Sequence, residues 1–351
     1  MRSGPACSQA ASNRRLSRRS RIGSAAGAAV TLSMVVAGCH VPGTGSSAAA
    51  PTLSTITVAA QPGVADAPLY LAQRDGFFKD AGLTVNIQNY STVGKEITAL
   101  GTGGAQFAIG DYADFFYAED QPSHPGFLVV ADAYDAAPSV MEVLTAPGSH
   151  VTTARQLQGK SIGTPESQEI PFNATANGTL PYSEETLATQ SALSNAGVPL
   201  NSINWKPMPA TQLINALQDG QVQAIVATEP TIFQAETQIG ATEVLDSCSG
   251  QTDSLPLDGY FTLGSFAHKY RSTVLAFQTA LLKAQAQAGL AKSVQSVLAS
   301  DVHMGTQQAG LVTLGTYPTA LKPSNLQRVA ALMSSFSLLN TPINVARMVF
   351  R

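Results

Sequence analysis

The sequence predicts an α/β protein of two similar lobes, each a parallel or mixed sheet covered by helices. Three observations carry that prediction. Short apolar strand patterns alternate with helical ones from Ile56 onward, which calls for βαβ crossovers and parallel pairing. The 351 residues are enough for about two domains with substantial cores. Finally, a phrase of helix, glycine turn and buried strand occurs twice, as "ITALGTGGAQFAIGD" from Ile97 and "INALQDGQVQAIVAT" from Ile214. Ile97 and Ile214, Leu100 and Leu217, Gly103 and Gly220, and Gln106 and Gln223 share one register, 117 residues apart (214 minus 97). Repeat arrays recur at roughly 20 to 50 residues, so this wider spacing points to duplicated halves.

The amino terminus stands apart from that body. Residues 1–38 hold six arginines (Arg2, Arg14, Arg15, Arg18, Arg19, Arg21) and no acid, and end in an apolar run of small residues from Ile22 to Gly38. A basic n-region before an apolar h-region reads as a signal peptide; the run is too short and weakly hydrophobic for a comfortable membrane span. It closes on "VVAGC", with Cys39 after Ala37 and Gly38, and a Pro/Gly/Ser/Ala tract follows. The arrangement resembles a bacterial lipobox, which implies a lipidated Cys39 and a flexible tether over residues 39–54.

Without residues 1–38 the chain keeps 14 basic residues (20 minus 6) against 23 acidic ones, a net charge of about −9. That balance, with no basic run, excludes a nucleic-acid footprint and argues against capturing anions by a long-range field. Removing Cys7 and acylating Cys39 leaves only Cys248, so no intramolecular disulfide is expected. Neither C-x-x-C nor H-E-x-x-H spacing occurs, and no metal or cofactor is expected.

In order along the body, "ITVAA" reads as a strand and "DAPLYLAQRDG" as a helix with Asp66 at its N-cap, Pro68 in its first turn and Gly76 as its stop. "LTVNIQNY" is the second strand, "GKEITALGTGG" the second helix and "QFAIG" the third strand. A second round opens with the short helix "TTARQLQG" and the strand "KSIGTPE". The helix "SEETLATQSALSNAG" follows, with Ser183 as N-cap and acids in its first turn. "INWKPM", "ATQLINALQDG", "VQAIVAT" and "TIFQAETQIG" continue the alternation, and "GYFTLGSF" reads as a last strand. Val274, Phe277, Leu281, Ala284 and Ala288 then recur at spacings of 3 and 4, one apolar stripe of a core helix.

With these elements in view, "APLYLAQRDGFFKDAGL", "ARQLQGKSIGTP" and "ALQDGQVQAIVATEP" resemble the solute-binding proteins of bacterial ABC importers. The branch is that of sulfonate, taurine and nitrate binders and thiamine-pyrimidine-precursor binders, and the resemblance spans roughly Ile56 to Arg271. It implies a bilobal, type II periplasmic-binding-protein fold with a hinge, lobe I over residues 55–145 and 259–351 and lobe II over 146–258. Such a protein closes on a small molecule and delivers it to a membrane permease and its ATPase. The same resemblance implies a monomer, exported and lipid-anchored on the outer face of the cytoplasmic membrane.

Ligands of open parallel sheets sit beyond the carboxyl ends of the strands. That rule selects Gln61–Pro68, Tyr90–Gly94 and Gly110–Asp114 in the first half, and Thr164–Glu169, Met208–Gln212 and Thr228–Pro230 in the second. Helix starts in these loops offer free N–H groups to anions, as the family's sulfonate and nitrate binders imply. Ser91, Thr92, Ser167 and Thr211 are candidate contacts on that ground, and each is equally an ordinary N-cap. No arginine falls in the six loops, and Lys95 is the only nearby cation. The loops instead carry Asp66, Asp111, Asp114, Glu166, Glu169 and Glu229 beside Tyr90 and Tyr112. "DSLPLDGYF" is expected to bring Asp258 or Tyr260 to the cleft mouth.

Carboxylates with aromatic side chains suit a cationic or amino-bearing ring, so a nitrogenous, heteroaromatic ligand is favoured over a sulfonate, taurine or nitrate. Asp66 is also a helix cap and Glu229 also a residue that can hold the hinge. Between Glu166 and Ser183 a long irregular stretch holds Phe172 and Tyr182, a length that is often functional.

The chain lacks a G-x-S-x-G elbow, a zinc motif and a phosphate loop, and its histidines stand apart from any nucleophile signature. An enzyme is therefore not expected. A lipoprotein that senses its ligand without transporting it remains the competing class.

Overall fold

The computed structural model describes residues 52–123, 125–165, 183–302 and 304–351. Cys39, the tether up to residue 51, Glu166, Ser167 and the stretch with Phe172 and Tyr182 lie outside the described residues.

The chain enters as β1 (Thr55–Ala60), β2 (Thr84–Asn89), β3 (Phe107–Asp111) and β4 (Phe127–Asp135). It crosses to β5 (Met141–Thr145), β6 (Ser161–Pro165), β7 (Asn204–Met208), β8 (Ala224–Thr228) and β9 (Thr242–Asp246), then returns as β10 (Pro256–Leu263). Two five-stranded sheets result, ordered β2-β1-β3-β10-β4 and β7-β6-β8-β5-β9. Both have the same plan. Three parallel strands are followed by an antiparallel strand, β10 or β5, which the other half of the chain leads into. The bilobal α/β fold expected from the sequence is the one observed.

The repeated phrase owes its register to hydrogen bonding at equivalent places. In the first sheet the Thr57 N–H donates to Gln106 Oε1 at 2.8 Å, and the Gln106 N–H donates back to the Thr57 carbonyl at 2.9 Å. In the second, the Ser161 N–H donates to Gln223 Oε1 at 3.0 Å and the Gln223 N–H returns to Ser161 O at 3.0 Å. Each glutamine thus closes the edge of β1 or β6 where β3 or β8 begins. The shared glycines turn the chain out of the preceding helix with φ of 77° at Gly103 and 69° at Gly220, a region that glycine enters without a Cβ penalty.

Some boundaries differ from expectation. β5 belongs to the second sheet, so the first crossing lies over residues 136–140 rather than after residue 145. β4, β5 and β9 were not among the expected strands. "ATQLINALQDG" divides into a 3₁₀ turn, Ala210–Gln212, and a helix, Leu213–Gln218. The expected C-terminal stripe lies on the helix Arg271–Ala288, where all five of its residues are buried. There Phe277 stacks on Phe107 with centroids 3.9 Å apart and on Phe78 at 5.4 Å, contacts that add to the burial of three large side chains.

Candidate functional site

Between the sheets, beyond the carboxyl ends of β1, β3, β6 and β8, lies a cavity of about 590 Å³. That is the size of a small-molecule cleft. Its first-lobe wall is the loop Gln61–Asp66, the start of the helix Val93–Gly101, the end of β3 and Asp258 of β10. The second-lobe wall is Ser183–Glu185, Pro209–Thr211 and Thr228–Thr231, with Tyr134, Val140 and Met141 near the crossing.

Of the sequence-predicted residues, Asp66, Ser91, Thr92, Asp111, Thr211 and Glu229 line this cavity. Asp66 sits at the N-cap position of the helix Ala67–Arg74, but its side chain makes no cap bond. Thr92 caps the helix Val93–Gly101 by accepting from the Lys95 N–H, while Lys95 Nζ donates to Ser91 Oγ at 3.0 Å. Asp111 Oδ1 accepts from the Asp114 N–H at 2.6 Å. Glu229 accepts from the Phe233 N–H at 3.2 Å, and its other oxygen from the Thr313 N–H of the first lobe at 3.1 Å. Glu229 thereby joins the lobes as well as lining the cleft.

Tyr112 and Tyr260 do not reach the cavity. Both side chains are fully buried. Tyr112 opens the helix Tyr112–Glu119 with its ring turned to the core, where its hydroxyl donates to Asp132 at 2.8 Å. Tyr260 points from the middle of β10 toward Phe277, whose ring it meets edge-on. Cys248 is buried and free, its thiol pKa pushed up by burial, so it is an inert core residue.

Three lining acids went unanticipated: Glu96, Glu184 and Glu185. Glu96 shares the inward face of its helix with Ala99 and Leu100, the i, i+3, i+4 spacing; an acid on an apolar stripe was the available signal. Glu184 and Glu185 fit the first turn of the helix Glu184–Asn195 as partners of its dipole, and that ordinary role hid the second one.

The wall carries eight carboxylates, Asp66, Glu96, Asp111, Asp114, Glu184, Glu185, Glu229 and Asp258, and no Lys, Arg or His among the described residues. Residues 166–182 also lack Lys, Arg and His in the sequence. Burial is the first cause of the raised pKa values, because desolvation disfavours the charged form. It holds Asp66, Glu96, Asp114, Glu184 and Asp258 well above the usual carboxylate range, with neighbouring acids adding to the shift in every case. Asp111 is pushed to about 7, burial being opposed by hydrogen bonds from the Asp114 backbone. Among the described residues no group of three His, Cys, Asp or Glu is placed to hold a metal ion. No described helix is long and apolar enough to cross a membrane.

Residues 65–289 match the model of the family described as NMT1/THI5 like. The chain belongs to the NMT1/THI5-like family. Solved structures with the same fold include the periplasmic aliphatic sulphonate binding protein SsuA of Escherichia coli, 14% identical with a TM-score of 0.68, over 86% of this chain and 93% of that one. The alkanesulfonate-binding protein SsuA of Xanthomonas axonopodis pv. citri, bound to MOPS, is 16% identical with a TM-score of 0.64, over 86% and 100%. The periplasmic nitrate-binding protein NrtA of Synechocystis PCC 6803 is 14% identical with a TM-score of 0.66, over 84% and 85%. A search of curated protein sequences gives no match. At these identities the NMT1/THI5-like chain shares the periplasmic-binding-protein fold with those structures, and its ligand has to be argued from its own cleft.

Proposed function

We propose that this protein is the extracytoplasmic solute-binding component of an ABC importer, and that it captures a small nitrogenous cation between its lobes. The observation that carries the reading is the cavity wall itself, with eight carboxylates and no described basic residue. A sulfonate or nitrate would find no described basic partner in this wall and would be repelled by every acid that is ionised. The helix-start N–H groups it would need are in part already taken, by Thr92 Oγ1, Asp111 Oδ1, Ser183 Oγ and Glu229. A protonated amine or amino-bearing ring meets the opposite situation, since every carboxylate it displaces from isolation becomes a charge-assisted acceptor. Asp66, Asp111 and Glu229 contact the ligand in this reading, and Ser91, Thr92 and Thr211 frame the opening as hydroxyl partners. Glu166 and Ser167, which follow β6 in the sequence, remain candidates.

Binding of a panel to the purified full-length protein tests the proposal. A ligand at 100 times its Kd adds about 2.7 kcal/mol of stability, which moves the unfolding temperature by several degrees. Such shifts are expected with aminopyrimidines, amines or polyamines. Shifts confined to sulfonates, taurine or nitrate would overturn the cation reading.

Lipidation at Cys39 completes the role, keeping the monomer beside its permease and ATPase on the outer face of the membrane. In a bacterial host, Cys39→Ala is expected to move the protein from the membrane fraction to the soluble fraction. Unchanged membrane partition on fractionation would remove the anchor from the proposal.

A further inference from the structure

Five carboxylate oxygens in the cavity wall are buried without a hydrogen-bond partner among the described residues. They are Asp66 Oδ2, both oxygens of Glu96, Asp114 Oδ1 and Glu184 Oε1. Asp66, Glu96 and Asp114 are 3%, 0% and 2% exposed, so bulk water does not serve them. Leaving such groups unmet costs free energy whether they are ionised or protonated, and a protein of ordinary stability retains them only where something else meets the cost.

The orphaned oxygens lie on both sides of the cleft. Asp66, Glu96 and Asp114 come from the first lobe and Glu184 from the second. The acids of the wall act on one another across the cleft. After burial, Glu96 is acted on by Asp66, Asp258, Asp111 and Asp114, whereas Glu184 is acted on by Asp258, Asp111, Glu185 and Asp114. Asp258, Asp111 and Asp114 act on both, so the Glu96 and Glu184 sides belong to one continuous acidic wall.

We infer that the solute is a small organic polycation with at least two protonated amino or amidino groups and no anionic group. One cationic end would be held around Asp66 and Glu96, the other at Glu184. The inference rests on the cation reading above and narrows it. An ammonium offers three donors, fewer than the five orphaned oxygens, so a single one leaves at least two of them unmet. A bare metal ion needs several ligands converging at about 2 to 2.6 Å; no described trio of acids converges in that way, and 590 Å³ has room for an organic molecule. A zwitterion such as lysine would bring a carboxylate into a wall that offers it no described cation.

Titration calorimetry on the full-length protein decides the matter, using α,ω-diamines of three to six carbons, spermidine, 1-aminobutane, 4-aminopyrimidine, lysine, nitrate, ethanesulfonate and zinc chloride as probes. The best diamine or spermidine is expected to bind roughly tenfold or more tightly than 1-aminobutane, one charged hydrogen-bond set being worth about that factor. Glu96→Gln and Glu184→Gln are each expected to erase that preference without lowering the unfolding temperature, because in each case an amide replaces an acid with an oxygen that has no hydrogen-bond partner. The two sites lie on different lobes, so failure of one variant to fold leaves the other to give the answer. Equal affinity for 1-aminobutane and the diamines, or a preference that survives both variants, overturns the inference. So does lysine binding as tightly as the best diamine, or zinc binding alone. Saturable binding of 4-aminopyrimidine with no gain from a second charge also overturns it but leaves the nitrogenous-cation function standing. Binding of nitrate or ethanesulfonate alone removes both.

Discussion

Raising the pH from 5 to 8 without ligand is expected to lower the unfolding temperature of this protein steeply, by about 10 °C or more. An ordinary acid group stabilises a fold when its native pKa is depressed; here the native values are raised. Burial moves Asp135 to about 6 against the opposing charges of Arg328 and Lys322, and burial reinforced by Asp135 moves Asp132 to about 8; burial against opposing hydrogen bonds moves Asp111 to about 7. Asp66, Glu96, Asp114 and Asp258 shift in the same direction. Between its unfolded value near 4 and its folded value, each such group binds a proton only in the native state. Its contribution is therefore complete below pH 4 and lost as pH rises through about 6, 7 and 8 in turn, at about 1.4 kcal/mol per pH unit for each proton. A few groups titrating together remove several kcal/mol over this range, and each kcal/mol corresponds to about 2 to 4 °C for a chain of this size. Scanning calorimetry between pH 4 and 8 measures the slope directly. A saturating cationic ligand should flatten it, because the ionised wall then has a partner. A midpoint that stays level or rises without ligand would mean that the wall is solvated and the cleft open, contrary to the burial on which the ligand argument rests.

How much of this site could be read beforehand depended on which physical rule each residue obeys. Gln106 and Gln223 were legible as a repeat because each serves one strand edge twice, through backbone and side chain, and so tolerates little substitution in that role. Asp66, Asp111 and Glu229 followed from the rule that loops at strand ends face the cleft. Tyr112 failed under the same rule because a helix starts there. Asp111 and Asp114, three apart, face the cavity together, while Tyr112 projects to the other side. Glu96 was missed for the complementary reason, lying past the loop but on the inward face. β5 and β9 pair antiparallel with each other, so the alternation of strand and helix that marks parallel units gave no sign of them. Their sheet position depends on partners distant in sequence, which no local pattern encodes.

The strand that carries Asp258 into the cleft also sets the most severe expected substitution. Gly259 lies in β10 between β3 and β4, and a Cβ there would meet Tyr112 at Cζ, Oη and Cε1 at 2.5, 2.6 and 2.7 Å. The ring cannot swing aside cheaply. It is fully buried, packed edge-on against Phe261 at 5.6 Å, and held by its hydroxyl on Asp132. Gly259→Ala is therefore expected to cost about 2 to 6 kcal/mol, combining overpacking of about 1 to 3 with the loss of a buried hydrogen bond that orphans Asp132, about 1 to 3 more. Tyr112→Phe isolates the second contribution and should cost less, since it removes the hydroxyl but creates no clash. Combining Gly259→Ala with Tyr112→Leu, which withdraws the clashing atoms, should cost less than the sum of the two single changes, as residues in contact do not add. Urea unfolding of the wild type and these four variants supplies the comparison. If Gly259→Ala lies within about 1 kcal/mol of wild type, the close approach of β10 to Tyr112 is not what fixes this face of the cleft, and Asp258 owes its position to something other than that packing.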